Sequence, residues 1–116
     1  MTDKVVILVT AASRDESNKI ARHLVEKRLA ACVNISPGIE SVYRWEGQIV
    51  EGGEFLLIIK SSKELFGEIK NEIVGLHSYR TPEIICLPII EGSSDYLQWI
   101  SDSLKSRSLK DAVASD

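Results

Sequence analysis

The feature that most constrains the fold is a pair of long extended runs in the middle of the chain. Ile39–Glu46 and Gln48–Lys60 both have the composition of β-strands, and Gly47 alone separates them. A turn at Glu46-Gly47 would join them as a hairpin, because glycine tolerates positive φ. A ribbon this long extends past the core of a small domain, since most strands are much shorter. Its outer half therefore needs another surface to pack against.

The N-terminal part of the chain predicts a strand followed by a helix. Lys4–Thr10 is an almost unbroken apolar run rich in valine and isoleucine, which favours a strand. Ser13 and Glu16 have the spacing of a capping box, which marks the start of a helix. The apolar residues that follow recur at helical spacing, at Ile20, Ala21, Leu24, Val25 and Leu29.

The first strand of the ribbon is expected to begin well before Ile39. Ala31–Ser36 is also strand-like, and Pro37-Gly38 then predicts a bulge or a bend. Alternation along the strand divides the residues that follow into two faces. One face carries Ile39, Ser41, Tyr43 and Trp45, and the other carries Glu40, Val42, Arg44 and Glu46. The returning strand is weakened at Gly52-Gly53 and becomes wholly apolar at Phe55–Ile59.

A second helix is predicted after the ribbon. Ser61 and Glu64 repeat the capping-box spacing, so we expect the helix to begin there. Its apolar stripe comprises Leu65, Phe66, Ile69, Ile73 and Leu76. Ile84–Ile90 is a further strand, and Pro88 predicts that this strand lies at an edge or contains a bulge.

A third helix and a short tail complete the predicted domain. Ser94 or Asp95 is expected to cap the helix, which presents Tyr96, Leu97, Ile100 and Leu104 on one side. The chain then becomes polar and small. We predict a single domain over residues 1–107 and a polar, frayed tail over residues 108–116.

The element order predicts an α+β, ferredoxin-like βαββαβ sandwich with a long hairpin ribbon and a C-terminal helix. Right-handed crossovers place both main helices on one face of the sheet. The strands at Lys4–Thr10, Phe55–Ile59 and Ile84–Ile90 do not alternate apolar with polar residues, so both faces require burial. Another copy of the chain is the simplest cover for the second face. The outer half of the ribbon would then pair with a neighbouring subunit.

Composition excludes several classes of protein. The chain is 44% apolar and 27% charged, as expected for a globular domain, and its net charge of −3 predicts no nucleic-acid partner. No segment approaches the length of a membrane span, and no signal peptide is evident. The two cysteines are isolated and form no CxxC motif or disulfide framework, which favours a reducing compartment. We therefore expect a soluble, cytoplasmic protein.

Four short blocks resemble a known family. They are Ala31-Cys32-Val33-Asn34, Ser41-x-Tyr43-x-Trp45-x-Gly47, His77-x-Tyr79-x-x-Pro82-Glu83 and Tyr96-x-x-Trp99. Together they resemble the CutA family of divalent-cation-tolerance proteins, from about Val5 to Leu104. The resemblance implies a homotrimer of ferredoxin-like subunits with an architecture related to PII-type signalling proteins. It also implies a role in tolerance of copper and other divalent metals.

His77 and Cys32 are the candidate metal ligands. An imidazole suits Cu(II) or another divalent cation, and a thiolate suits Cu(I) or Zn(II). As alternatives, His77 could donate to a backbone carbonyl and Cys32 could be a small buried strand residue. Some bacterial members of the family have a cysteine and two adjacent histidines at the positions of Val9, Leu76 and His77, so one of three such ligands is present. Cys86 is expected in the core.

Tyr79 and Glu83 are the candidate ligand-binding residues, with Lys60 expected to pair with an acid such as Glu83. Further residues could line a cleft between subunits, namely Tyr43, Trp45 and Trp99. The alternative is that these aromatic residues are packing anchors at an interface.

Three classes of function are open to such a chain. They are a trimeric binding or signalling protein, a hydrolase of the acylphosphatase kind, and a structural trimer that scaffolds an unknown protein partner. The hydrolase needs backbone N–H groups and an arginine around a phosphate, but "TAASRD" contains no glycine and only Arg14. The absence of CxxC excludes a heavy-metal-transport domain. We predict a non-enzymatic trimer that binds a metal ion or small ligand, with the scaffold as the alternative.

Overall fold

The computed structural model describes residues 2–105 of the 116-residue chain. Its four strands and three helices follow the predicted order, which confirms the α+β fold. The elements are β1 (Lys4–Ala11), α1 (Arg14–Glu26), β2 (Cys32–Trp45), β3 (Gln48–Ser62), a 3-10 turn (Lys63–Leu65), α2 (Phe66–Leu76), β4 (Ile84–Pro88) and α3 (Ser94–Ser103). The predicted tail at 108–116 lies outside the described residues.

The four strands form one antiparallel sheet in the order β2-β3-β1-β4. The apolar strand β1 is therefore central, between β3 and β4. β4 lies at an edge, as Pro88 predicted, but it ends at that proline and does not continue to Ile90. This position tolerates a residue without a backbone N–H donor, because one side of an edge strand has no strand partner.

One face of the sheet forms the hydrophobic core with the helices. Alternate residues of β1 point to this face and are buried, and the β3 residues that pair with Val5, Ile7 and Val9 are buried too. The fully buried side chains include Ile7 and Val9 of β1, Leu57 and Ile59 of β3, Ile20 and Leu24 of α1, Ile69 and Ile73 of α2, and Ile100 of α3. Burying each such aliphatic side chain contributes about 1.5–3 kcal/mol, so this layer stabilises the fold of the single chain.

The other face of the sheet is also apolar. The register places Leu8 between Ile58 of β3 and Ile85 of β4, and it places Val6 beside Leu87. We call the surface formed by Val6, Leu8, Leu56, Ile58, Ile85 and Leu87 the open face. Ile85 and Leu87 remain 46% and 44% exposed there. The prediction that both faces of the sheet are apolar is therefore correct.

The ribbon has the predicted bulge and turn. β2 and β3 pair along their whole length, with a register shift at Pro37-Gly38. The turn residues Glu46 and Gly47 have φ values of 50° and 78°, the left-handed pair that a two-residue hairpin of type I′ requires. Farther along, Val42 and Ile49 are 66% and 67% exposed. The outer half of the ribbon thus has little apolar contact within its own chain.

The first helix begins with the predicted cap in a slightly altered form. Ser13 Oγ accepts a hydrogen bond from the Glu16 N–H at 3.1 Å. Glu16 Oε2 reaches back to the N–H of Ala12 at 3.3 Å, one residue earlier than the usual capping box. α3 is capped similarly by Ser93, whose Oγ accepts from the Tyr96 N–H at 3.4 Å, rather than by Ser94 or Asp95.

The predicted cap of the second helix is wrong. Ser61 is fully buried near the end of β3, where its hydroxyl donates to the Leu29 carbonyl at 2.6 Å. The strand continues through Ser62, and α2 begins only at Phe66, after the 3-10 turn. A buried hydroxyl needs a hydrogen-bond partner, and the Leu29 carbonyl supplies one that the local sequence does not reveal.

Candidate functional site

A cavity of about 620 Å³ lies where the ribbon leaves the sheet. Three aromatic side chains, Tyr43, Trp45 and Tyr79, contribute to its walls together with two acids, Glu54 and Glu83. We call it the aromatic–acid pocket. Its volume falls within the range of small-molecule sites.

The ribbon supplies one wall of the pocket. Across the bulge, Glu54 pairs with Ile39, and the alternation of the antiparallel pair puts Glu54 on the same side as Tyr43 and Trp45. The same alternation in β3 places Glu54 in line with Leu56 of the open face. The pocket therefore continues from the end of the open face onto the ribbon.

The connection between α2 and β4 supplies the opposite wall. β4 begins at Ile84, which pairs with Val9 of β1. This pairing brings Glu83 to the end of β1 at which Thr10 lies, and both residues line the pocket. Tyr79 enters from the same connection.

Tyr79 is held at both its phenol and its backbone. Its Oη donates to Glu54 Oε2 at 2.9 Å, and its backbone N–H donates to His77 Nδ1 at 3.0 Å. Burial, followed by the hydrogen bond to the Glu54 carboxylate, raises the pKa of Tyr79 to about 12. At neutral pH the phenol is thus protonated and acts as the donor to Glu54.

The imidazole of His77 is wholly buried and uses both of its nitrogens. Nε2 lies 2.7 Å from the Thr10 carbonyl oxygen, which can only accept, so Nε2 carries the proton. Nδ1 then accepts from the Tyr79 N–H. This arrangement matches the alternative in which His77 donates to the backbone. His77 as a metal ligand stays a prediction, and it requires one of these two bonds to break.

Glu16 fixes the start of this connection. Its carboxylate accepts from the backbone N–H of Ser78 and lies 3.7 Å from His77 Nδ1. Burial opposes ionisation, but hydrogen bonds from Ser78 and from the Ala12 N–H outweigh it, so the pKa of Glu16 is below its ordinary value. The sequence assigned Glu16 only to a helix cap. Its second role is to accept a hydrogen bond from Ser78, which is 62 residues away. A contact between residues so far apart cannot be predicted from the local sequence.

Lys60 does not pair with Glu83, and that prediction is wrong. Its ammonium donates to Asn34 Oδ1. Lys60 pairs with Val6 near the start of β1, whereas Glu83 lies beyond Val9 near the other end. Lys60 as a ligand-binding residue stays a prediction.

The two cysteines are free thiols in different environments. Cys32 is half-buried in the edge strand β2, and its Sγ lies 3.8 Å from Asn34 Oδ1. Cys86 packs against the core, as predicted, and burial raises the pKa of its thiol. Within residues 2–105, no three histidine, cysteine, aspartate or glutamate side chains are placed to hold a metal ion together. Cys32 as a metal ligand stays a prediction.

The pocket includes most of the predicted cleft residues and others that the sequence analysis missed. Tyr43, Trp45, Tyr79 and Glu83 line it, whereas Trp99 stacks on Tyr96 in α3, with ring centroids 5.5 Å apart. The charged residues among those missed are Glu54 and Arg80. The sequence does contain a signal for Glu54. It lies in β3 in the same alternating series as Leu56 and Ile58, and it is an acid directly before an apolar stretch.

Residues 5–103 match the family model described as CutA1 divalent ion tolerance protein. The chain belongs to the CutA1 family. The match covers every strand and helix described above except the first residue of β1. The family resemblance indicated by the four sequence blocks is therefore confirmed. The family is named for tolerance of divalent ions and not for an enzymatic reaction.

Proteins of this family from distant organisms are similar to the chain over most of its length. It is 47% identical over 98 residues to the divalent-cation tolerance protein CutA of Thermus thermophilus, covering 84% of this chain and 95% of that protein. It is 45% identical to the chloroplastic protein CutA of Arabidopsis thaliana, covering 87% of this chain and 56% of that protein. The structure of the periplasmic divalent cation tolerance protein CutA from Archaeoglobus fulgidus superposes with a TM-score of 0.86 at 43% identity, covering 88% and 99% of the two chains.

These names place family members in more than one compartment. One relative is called chloroplastic and another periplasmic, so family membership does not fix the location of this chain. Among the described residues, no helix is both long enough and apolar enough to cross a membrane.

Proposed function

We propose that this protein acts in tolerance of divalent cations as a homotrimer that binds a metal ion or a small ligand and does not catalyse a reaction. The observation that carries the proposal is the aromatic–acid pocket, in which Tyr79, Glu54 and Glu83 meet at the end of the open face. Tyr79 and Glu83 are its proposed ligand contacts.

The hydrogen bonds around the pocket favour binding over catalysis. A general base needs a free lone pair within reach of the proton that it removes. His77 commits Nε2 to the Thr10 carbonyl and Nδ1 to the Tyr79 N–H. The phenol of Tyr79 is protonated and hydrogen-bonded to Glu54. These groups are arranged to hold the pocket walls in place.

The open face supports self-association. Its residues Ile85 and Leu87 are about half exposed in the single chain, and contiguous apolar surfaces of this kind mark interfaces. The exposed outer half of the ribbon offers a second contact surface. A trimer, which the family resemblance implies, would cover both surfaces with copies of the same chain, as in the PII-like arrangement.

The proposed metal is Cu(II) or another divalent cation, with His77 and Cys32 as candidate ligands. The donor set fits such an ion only in part. Glu83 faces the pocket, but His77 would have to release Tyr79 or Thr10 before it could ligate, and Cys32 lies on an edge strand beside Asn34. We therefore expect modest affinity that falls at low pH, because a protonated imidazole cannot bind a metal.

Isothermal titration with Cu(II) tests this metal site. The wild type is compared with His77→Ala, and His23→Ala serves as the matched control because it removes the only other histidine in the sequence. We expect weaker binding in His77→Ala alone, with native mass spectrometry showing trimers of all three proteins. Equal affinity of the wild type and His77→Ala would remove His77 from the site and leave Cys32, or no specific site.

A scaffolding role is the second candidate function. It is favoured by the stacked pair Tyr96 and Trp99, which remain 44% and 45% exposed on α3. Exposed aromatic residues are frequent anchors for protein partners. A trimer that binds neither Cu(II) nor a small ligand would favour this role.

For the compartment we propose the cytoplasm. The support is that Cys32 and Cys86 are both free thiols, which a reducing compartment maintains. Fractionation of the source cells tests this proposal, and recovery of the protein from an organelle or from the periplasm would contradict it.

A further inference from the structure

Resting on the proposed trimer, we propose that two contacts at the base of the ribbon orient the ribbon in the free subunit for assembly. Tyr79 holds the base from the side of the open face, and Arg14 holds it from the side of the helices. Both contacts lie within one chain. They therefore belong to the subunit before it meets its neighbours, which is the species that must associate.

The base of the ribbon is the point at which β3 loses its second partner strand. The pairing of β1 with β3 ends at Ala11 and Phe55. From Glu54 outward, β3 pairs only with β2. We call Glu54 and Phe55 the ribbon base, and residues 39–53 the outer ribbon. A two-stranded ribbon has little stability of its own, so its direction depends on the contacts that the ribbon base makes.

Two features weaken the ribbon where the outer ribbon begins. β2 shifts register between Ser36 and Ile39, and such a bulge bends its strand. In β3, Gly52 and Gly53 adjoin the ribbon base, and glycines within a strand weaken it because they have no side chain to pack. Without a fixed base, the outer ribbon would therefore take a range of directions.

Tyr79 fixes Glu54, the first residue of β3 beyond the pairing with β1. The Tyr79 Oη donates to Glu54 Oε2 at 2.9 Å, and hydrogen bonds to charged groups are stronger than those between neutral groups. The backbone N–H of Tyr79 donates to His77, which in turn contacts the Thr10 carbonyl of β1. The bond thus ties the ribbon base to a connection that is itself held against the sheet.

Arg14 fixes Phe55 from the opposite face. Successive residues of a strand point to opposite faces, and Phe55 points to the side of the helices because it pairs with the buried Ala11. The Arg14 Cζ lies 5.3 Å from the centre of the Phe55 ring, within the range of a cation–π contact. Arg14 is the first residue of α1, directly after the Ser13 cap. The ribbon base is therefore held on both faces.

A ribbon that is already oriented should speed association. The association rate falls when binding requires a conformational change, and fixing a segment in its bound conformation lowers the entropy cost of binding. Each subunit of the proposed trimer presents its outer ribbon to a neighbour. We therefore expect loss of either contact to slow assembly while the helix-covered core of the subunit still forms.

Refolding kinetics measure the effect of Tyr79 on assembly. The full chain is unfolded in guanidinium chloride and diluted, and light scattering follows trimer formation at several protein concentrations. Tyr79→Phe should slow the concentration-dependent phase about fivefold and change the concentration-independent folding phase little. Tyr96→Phe is the matched control, because it removes the same hydroxyl group from α3, outside the pocket.

The same measurement applies to the contact on the other face. Arg14→Gln should slow the concentration-dependent phase about twofold, because an exposed cation–π contact is weaker than a hydrogen bond to a carboxylate. Arg22→Gln is its control, since Arg22 is an exposed arginine of the same helix.

Hydrogen exchange in a monomeric variant measures the orientation of the ribbon directly. Ile85→Asp places a charge on the open face and is expected to keep the subunits apart. In this background, Tyr79→Phe should speed exchange of the outer-ribbon amides about fivefold, and Tyr96→Phe should not. Glu54→Ala should act like Tyr79→Phe, and the double variant should exchange no faster than either, because both changes remove the same hydrogen bond.

Equal assembly rates for Tyr79→Phe and Tyr96→Phe would overturn the inference, as would faster assembly of Tyr79→Phe. Equal hydrogen exchange of these two variants in the monomeric background, or additive effects of Tyr79→Phe and Glu54→Ala, would also overturn it. The proposed function fails in a different way. A wild-type protein that stays monomeric removes both proposals, whereas a trimer that assembles equally fast without the Tyr79 hydroxyl removes only this one.

Discussion

At the scale of single residues, the pocket depends on a short chain of hydrogen bonds that runs from β1 to the ribbon. The Thr10 carbonyl accepts from His77, His77 accepts from the Tyr79 backbone, and the Tyr79 phenol donates to Glu54. The buried His77 thus sets the position of Tyr79, and Tyr79 joins the α2–β4 connection to β3.

Tyr79 is expected to ionise only at strongly alkaline pH. The sequence contains three tyrosines, and burial with the Glu54 hydrogen bond raises the pKa of Tyr79 to about 12. Because the pKa is raised above its ordinary value of 10.0, the protonated phenol stabilises the fold below that pH, and this contribution is lost as pH rises through about 12. Phenolate absorbance should therefore show a late component that disappears in Tyr79→Phe. Ionisation of all tyrosines together near the ordinary value would contradict this prediction.

Glu16 is expected to stabilise the fold in a pH-dependent way. Its pKa lies below its ordinary value of 4.5, so its contribution is present above that pH and is lost as pH falls through the lower pKa of the folded state. Glu16→Gln should cost about 1–2 kcal/mol at neutral pH, because it weakens charged hydrogen bonds to backbone N–H groups. Urea unfolding at neutral and acidic pH measures the difference, which should shrink on acidification. The prediction would be contradicted if the difference in the free energy of unfolding between wild type and Glu16→Gln did not change with pH. It would also be contradicted if Glu64→Gln, a change of an exposed residue, lowered the free energy of unfolding equally.

At the scale of secondary-structure elements, the ribbon is the least covered part of the chain. Its turn places Glu46 at a φ of 50°, a conformation that costs most residues with a β-carbon about 1 kcal/mol or more. Glutamate is therefore a poor choice at this position on local grounds alone. The backbone of the turn suits asparagine followed by glycine.

Glu46→Asn is expected to stabilise the tip of the ribbon by about 0.5–1 kcal/mol. Glu40→Asn provides the contrast, because Glu40 lies within β2, where asparagine is a weak strand former. Hydrogen exchange of the Tyr43 and Val50 amides measures the effect locally. Slower exchange in Glu46→Asn and faster exchange in Glu40→Asn are expected, and the reverse order would exclude strain at the turn.

The sequence predicts these elements better than it predicts the contacts between them. Apolar runs and their alternation indicate the strands, and Glu46-Gly47 indicates the turn, because the signal for each is local. Ser61 shows the limit: its spacing to Glu64 resembles a cap, yet a carbonyl 32 residues away binds its hydroxyl. The hydrogen bond from Tyr79 to Glu54 likewise joins residues that are 25 positions apart in the sequence. Such contacts depend on the packing of the sheet, so the pocket could be predicted only as a set of candidate residues.

At the scale of the whole molecule, the sheet has two apolar faces that serve different purposes. The helix-covered face is complete within one chain, with Ile7 and Ile59 fully buried. The open face remains partly exposed at Ile85 and Leu87. In the proposed trimer, association would bury the open face, so the stability of the protein should depend on its concentration.

Ile85→Asp is expected to prevent assembly, whereas Val74→Asp is expected to leave it intact. The two side chains are 46% and 51% exposed in the single chain, but Ile85 lies on the open face and Val74 on α2. A charge buried at an interface is costly, and one on an exposed helix surface is not. Sedimentation velocity at micromolar concentration should show trimers for wild type and Val74→Asp, and smaller species for Ile85→Asp. A folded wild-type monomer would exclude the trimer.

Substitutions on the two faces of β1 should also differ in whether they are recessive or dominant. A disruptive substitution at Ile7 or Val9 acts on the core of its own chain, so the altered subunit is degraded and the normal copies assemble without it. An alanine substitution at Val6 or Leu8 leaves that core intact and places no charge on the open face, so the altered subunit can still enter mixed assemblies. In a cell with one normal and one altered allele, variants of the first kind should be recessive. Variants of the second kind should be dominant, because each one can impair its normal neighbours.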